Sequence, residues 1–165
     1  MIPIGKEQAL HYRNVVSRYY QSDLAGLVDC FNEAMATVSA KYTPAGGFFY
    51  AIISDIRKTD HMLAQVFIPI VEDAAPDLPE EYRFQSYFQM LDLIAARALG
   101  KTKADFQAPL GALINYCADE SLTPVTPPFF RTVVLDGKPY TDIYFGVVPD
   151  GYGKDMMVPL HSTDE

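Results

Sequence analysis

Seven side chains of this 165-residue chain are of the types that hold a small molecule: Tyr19, Tyr50, Gln65, Phe67, Arg97, Arg131 and Tyr144. All lie in runs rich in β-branched and aromatic residues, so strands are expected to carry them. A tyrosine brings an apolar ring with a polar tip, which suits a ligand groove. The plainer alternative is a half-buried strand tyrosine, ordinary in a chain with eleven tyrosines and no tryptophan. An arginine facing a groove selects carboxylate or phosphate groups; one on the surface or in a salt bridge selects nothing. This is chemistry of binding. Bond-making has less to rest on, because no serine or cysteine sits in a nucleophile-elbow context. His11, His61 and His161 fall on a strand, a turn edge and the tail, with no metal-ligand spacing. Asp29, Glu33 and Glu120 lie on the polar sides of helical patterns, where carboxylates are normally solvated. No catalytic residue, metal or cofactor is therefore assigned.

The totals narrow the partners. Formal charge is −8, yet residues 1–71 carry six bases and six acids, and residues 82–149 again carry six of each. The excess lies in Glu72–Glu81, with five acids and no base, and in the segment from Asp150 on. Neither half has a basic stripe, so binding to nucleic acid has no electrostatic basis. There is no apolar run long enough for a membrane span and no signal-peptide pattern at Met1–Glu7. Cys30 and Cys117 sit in helical patterns among apolar neighbours and read as buried thiols. A cytoplasmic setting is expected. A chain of this length buries roughly 70% of its unfolded surface and needs no disulfide.

The elements that must position the seven residues occur twice. Thr43-Pro44-Ala45-Gly46-Gly47-Phe48-Phe49 returns about 80 residues later as Thr123-Pro124-Val125-Thr126-Pro127-Pro128-Phe129-Phe130. A spacing this long indicates a duplicated half-domain. Leu10–Tyr20 reads as a strand. Ser22 or Asp23 can cap a helix whose stripe is Leu24, Leu27, Val28, Phe31, Met35 and Val38. Strands follow over Phe48–Ile56 and Met62–Ile70, with a turn at Arg57–Asp60. Glu72–Glu81 has two prolines and no periodicity, and reads as a linker. Tyr82–Leu99 is β-patterned but too long to be one straight strand, so a bend or bulge is expected. A second helix carries Phe106, Leu110, Leu113, Ile114 and Cys117, with Pro109 in its first turn or kinking it. Strands Phe129–Leu135 and Tyr140–Val148 flank Asp136-Gly137, a tight-hairpin signal.

Each half is thus strand–helix–strand–strand. Such a half leaves a sheet face or edge uncovered, and two halves related by a pseudo-two-fold axis can cover each other. The expected fold is α+β: one antiparallel sheet, both helices on one side, and a groove between the repeats. The chain is expected to be a single domain over 1–165, with repeats at about 10–71 and 82–148, a linker at 72–81 and a tail at 149–165. Aligning Ala64, Val66 and Ile68 with Ile143, Phe145 and Val147 sets Tyr144 opposite Gln65. A two-residue longer offset, 81 instead of 79, puts Arg131 at the place of Tyr50.

Three segments, Ile94-Ala95-Ala96-Arg97-Ala98-Leu99-Gly100, Leu113-Ile114-Asn115-Tyr116-Cys117 with Leu122-Thr123-Pro124, and Asp142-Ile143-Tyr144-Phe145-Gly146-Val147-Val148, resemble the GyrI-like small-molecule-binding domain. That domain also serves as the effector-binding domain of multidrug-responsive transcription regulators. Val66-Phe67-Ile68-Pro69-Ile70 resembles its closing strand, and the likeness runs from about Leu10 to Val148. With Asn14-Val15-Val16-Ser17, Val66–Pro69 also resembles a bacterial family of stand-alone two-repeat proteins. The resemblance implies a small-molecule site in the groove. Drug-binding members place a glutamate on the last strand of a repeat, where it can pair with a cationic ligand. Here Gln65 and Tyr144, or Phe145, stand at that place. Neither offsets the desolvation of a cation, so the expected ligand is a neutral or weakly polar aromatic molecule. Gln65, Tyr50 and Tyr144 would orient it.

Two other readings remain open. One is an interaction module whose groove is filled, binding a second copy or a partner chain through strand edges or through Phe48, Phe49, Phe129 and Phe130. The other is a hydrolase on the same scaffold, as some GyrI-like members are.

Overall fold

Strand, helix, strand and strand follow one another twice along the chain. The computed structural model describes residues 2–100 and 102–151; His161 and the tail beyond Gly151 lie outside the described residues. The first repeat is β1 (Gly5–Ser22), α1 (Leu24–Ser39), β2 (Phe49–Ile52) and β3 (Met62–Pro69). The second is β4 (Arg83–Ala98), α2 (Lys103–Asp119), β5 (Leu122–Pro124), β6 (Phe129–Leu135) and β7 (Lys138–Pro149). The short β5, not anticipated from the sequence, pairs with β7; its first-repeat equivalent is a single bridge between Pro44 and Ile70.

Local chemistry sets the boundaries. Asp23 caps α1, its carboxylate accepting from the Gly26 amide at 2.7 Å. Thr102 and Asp105 form a reciprocal capping box at the start of α2. Pro109 lies inside that helix, beyond its first turn, and is buried. β2 stops short of the expected Ile56. The Ser54 hydroxyl takes the Leu63 amide at 2.9 Å, and Asp55 binds both the Arg57 amide and its guanidinium, so a turn replaces the ladder. Asp136 and Gly137 both have positive φ, 52° and 75°, the geometry of a two-residue hairpin turn.

The strands run antiparallel in the order β4-β1-β3-β2-β6-β7, and β4 also pairs with β7, so six strands close on themselves. β2 and β6 meet at Phe49↔Arg131, Tyr50↔Phe130 and Ala51↔Phe129. On the other side, β1 and β4 meet at Leu10↔Met90, His11↔Gln89 and Tyr12↔Phe88. Both joints read the same from either repeat, so the pseudo-two-fold axis passes through Tyr50/Phe130 and through His11/Gln89. The expected bend in β4 is present at Asp92 (φ 56°), and β1 bends at the equivalent Asn14 (φ 58°). Asn and Asp tolerate this left-handed backbone better than other non-glycine residues. Beyond each bend the inward residues change from even to odd numbers. Leu10 and Tyr12 are followed by Val15, and Phe88 and Met90 by Leu93.

One face of the sheet carries both helices. Leu27, Phe31, Ala34 and Val38 of α1 and Leu113 and Cys117 of α2 pack there on Val16, Ala64, Val66, Ile68, Ile94, Ala96, Phe130 and Ile143. The opposite face holds a second apolar cluster built from Leu10, Val15, Phe49, Phe67, Leu93, Phe129 and Tyr144.

Candidate functional site

The groove between the repeats runs across the face turned away from the helices. In a strand, alternate side chains point to opposite faces, so register decides which expected residues reach it. Tyr19, Gln65, Phe67, Arg97, Arg131 and Tyr144 all do. Tyr50 does not: it pairs with Val66 and Phe130 on the helix side, stacking on Phe130 at 5.0 Å and meeting Phe31 at 4.7 Å. Burial there raises its hydroxyl pKa strongly. It is a core residue and cannot orient a groove ligand.

Aromatic rings fill the middle of the groove. Phe49 stacks on Phe67 at 4.7 Å and on Tyr12 at 4.7 Å, and Phe88 lies 5.0 Å from Phe67 and 5.2 Å from Phe49. Phe49 is fully buried, and Phe67, Phe129 and Tyr144 nearly so. The paired first halves of β1 and β4 supply Tyr12 and Phe88 and fold across this floor. Phe48 is half-buried, while Phe49, Phe129 and Phe130 lie inside. These four therefore form no exposed aromatic patch for a partner.

The two ends of the groove differ, although symmetry makes them equivalent. Ala51 pairs with Gln65 as Arg131 pairs with Asp142, and Tyr19 pairs with Gln65 as Arg97 pairs with Asp142. Gln65 thus corresponds to Asp142, Phe67 to Tyr144, Tyr19 to Arg97, Ala51 to Arg131 and Tyr50 to Phe130. This corrects the alignment drawn from the sequence, which set Tyr144 opposite Gln65 and Arg131 at the place of Tyr50. A carboxylate does stand on the last strand of the second repeat.

That carboxylate is already engaged. Arg97 donates to it from Nε at 2.6 Å and from Nη2 at 2.9 Å, and Arg131 Nη2 lies 3.7 Å away. Hydrogen bonding to Asp142 raises the Arg97 pKa. Arg131 Nη1 also donates to the Tyr12 hydroxyl at 3.2 Å, and its guanidinium lies 5.6 Å from the Tyr144 ring centre. Burial holds the Tyr144 hydroxyl up to about 12, against the opposing pull of Arg131. Two guanidinium groups on one carboxylate leave this end net positive, with its acid already engaged and nothing to attract a cation.

The first-repeat end is open. Ser17, Tyr19 and Gln65 from one repeat and Arg83, Phe84 and Gln85 from the other line a depression of about 610 Å³. Ser17 is buried and lies 3.5 Å from the Gln65 amide nitrogen, whereas Tyr19 is half exposed. The sequence reading missed Asp142, Tyr12, Ser17 and Arg83. A charge inside an apolar strand was the available signal for Asp142; the others follow only from strand pairing. Among the described residues, no group of three or more His, Cys, Asp or Glu side chains is placed to hold a metal ion. None of their helices is long and apolar enough to cross a membrane.

The chain belongs to the family described as Domain of unknown function (DUF5085), which matches residues 11–148. No curated protein sequence matches it. Its fold is similar to that of the crystal structure of the EcmrR C-terminal domain, with a TM-score of 0.72 at 10% identity, covering 90% of this chain and 99% of that one. It is also similar to the cryo-EM structure of the EcmrR–DNA complex in EcmrR-RPo, with a TM-score of 0.69 at 10% identity. There it covers 90% of this chain and 57% of the EcmrR chain.

Proposed function

We propose that this chain is a non-enzymatic sensing module of the GyrI-like kind, holding a small aromatic molecule without positive charge at the open end of its inter-repeat groove. The carrying observation is the depression formed jointly by Ser17, Tyr19 and Gln65 of one repeat and Arg83, Phe84 and Gln85 of the other. Tyr19 offers an exposed ring for stacking, and Gln65 and Ser17 offer orienting hydrogen bonds. A neutral or weakly polar ligand fits this lining. The overall likeness to the EcmrR C-terminal domain supports a regulatory setting, in which a separate segment or protein carries any response. A thermal-shift screen of neutral, anionic and cationic aromatics tests this. Stabilisation by uncharged or acidic members and none by cations is expected; no stabilisation by any of them sinks the proposal.

A second reading draws on a specific feature, the free edge of β6. Beyond Arg131 this strand pairs only with β7, and Val134 and Leu135 are exposed at 67% and 44%. Such an edge invites pairing with another strand, which favours an interaction module. A dimeric mass in solution, reduced to monomer by Val134→Lys, would favour it over ligand sensing.

A further inference from the structure

We propose that the open end of the groove is an anion subsite, selecting an aromatic molecule that bears a carboxylate, with Arg83 as the group that reads the charge. This rests on the reading that the depression takes a small aromatic molecule, and it adds the sign of that molecule's charge.

Three observations converge on it. The lining is Ser17, Tyr19, Gln65, Arg83, Phe84 and Gln85, which contains one cation and no acid. Arg83 makes no ion pair among the described residues, unlike Arg18, Arg57, Arg97 and Arg131. Arg18, which lies between Ser17 and Tyr19 in the chain, turns to the helix side, where its guanidinium is 3.7 Å from Glu33, and so leaves Arg83 as the cation of this lining. An unpaired guanidinium beside an exposed ring and two amide side chains is a fork for a planar carboxylate.

Symmetry supplies the control within the molecule. At the opposite end, Arg97 stands where Tyr19 stands and Asp142 where Gln65 stands, and the protein's own carboxylate fills the arginine fork at 2.6 and 2.9 Å. Gly5 takes the place of Arg83, since Gly5↔Ala95 mirrors Ser17↔Arg83 across the axis. One end therefore holds an internal acid on an arginine. The other presents an arginine with the acid left out.

The test uses three shape-matched probes, indole-3-acetate, indole-3-acetamide and tryptamine, titrated by calorimetry against the whole chain and against Arg83→Gln and Arg13→Gln. Arg13 is exposed, makes no ion pair among the described residues and lies on the outer side of the β1–β4 joint, so its variant matches the charge change away from the site. The acid is expected to bind at least about tenfold tighter than the amide, with no binding by the amine. Arg83→Gln should erase the preference for the acid while leaving amide binding intact, and Arg13→Gln should preserve both. Equal binding of acid and amide, or an equal loss in both variants, overturns the anion subsite while leaving the sensing proposal standing. No saturable binding by any probe overturns both.

Discussion

Gln65 and Asp142 occupy one position in the two repeats, each paired across to the strand at the central joint and back to the long first strand of its own repeat. One is a neutral amide at an open depression; the other is a buried carboxylate clasped by Arg97 and approached by Arg131. Removing Asp142 strands a part-buried guanidinium pair, whereas removing Gln65 strands nothing charged. Asp142→Ala is expected to lower stability by about 1–3 kcal/mol and Gln65→Ala by about 0.5 kcal/mol or less, both read from urea unfolding midpoints.

The aromatic floor should be the most sensitive part of the molecule. Phe49 is fully buried and touches Tyr12, Phe67, Phe88 and Phe129. Phe49→Ala should cost about 3–5 kcal/mol, checked by chemical denaturation. A loss under about 1 kcal/mol would mean that the rings are not packed as described.

Asn14 and Asp92 test whether the two bends are equivalent in energy as well as in place. Glycine at either position accepts the left-handed backbone and should be close to neutral. Valine should cost about 1–2 kcal/mol at each. Matched pairs of thermal melts check this, and a large difference between the two sites would show that the repeats carry unequal strain.

Alkaline pH should weaken the fold in a defined window. Burial raises the Tyr144 hydroxyl to about 12 and pushes Tyr20 and Tyr50 upward as well. A folded-state value above the ordinary 10 means that the native state keeps its proton longer than the unfolded chain does. Stability is therefore whole below about pH 10 and falls as pH rises toward 12. Urea midpoints between pH 9 and 11.5 should show the decline, and Tyr144→Phe should make it shallower.

The duplicated architecture was legible because its signals are local. The Thr-Pro stretch, the helical stripes and Asp136-Gly137 each fix one element without knowledge of the rest. The Thr-Pro stretch even keeps its job in both copies: Thr43 hydrogen-bonds Glu72, and Thr123 hydrogen-bonds Asp150. The site was less legible because it depends on how the two copies line up. Equivalent residues lie 78 apart on β1 and β4, 80 apart on β2 and β6, and 77 apart on β3 and β7. The connection before β3 is long, whereas the turn before β7 is two residues. No single offset spans these changes, so Asp142 was passed over and Tyr50 was turned toward the wrong face. Asn14 and Asp92 hid the rest, because a left-handed residue reverses the alternation by which inward side chains are recognised.

The double pairing of Leu93–Ala95, to β1 along one margin and to β7 along the other, has a mechanical meaning. A row of strands with two loose ends can fray from either side, one strand at a time. A hoop cannot; a first strand leaves only when two seams part together. Amides of this short stretch should thus exchange with solvent only in concert with those of Val15–Ser17 and Phe129–Arg131, and pressure applied at one rim of the hoop has to be carried around it.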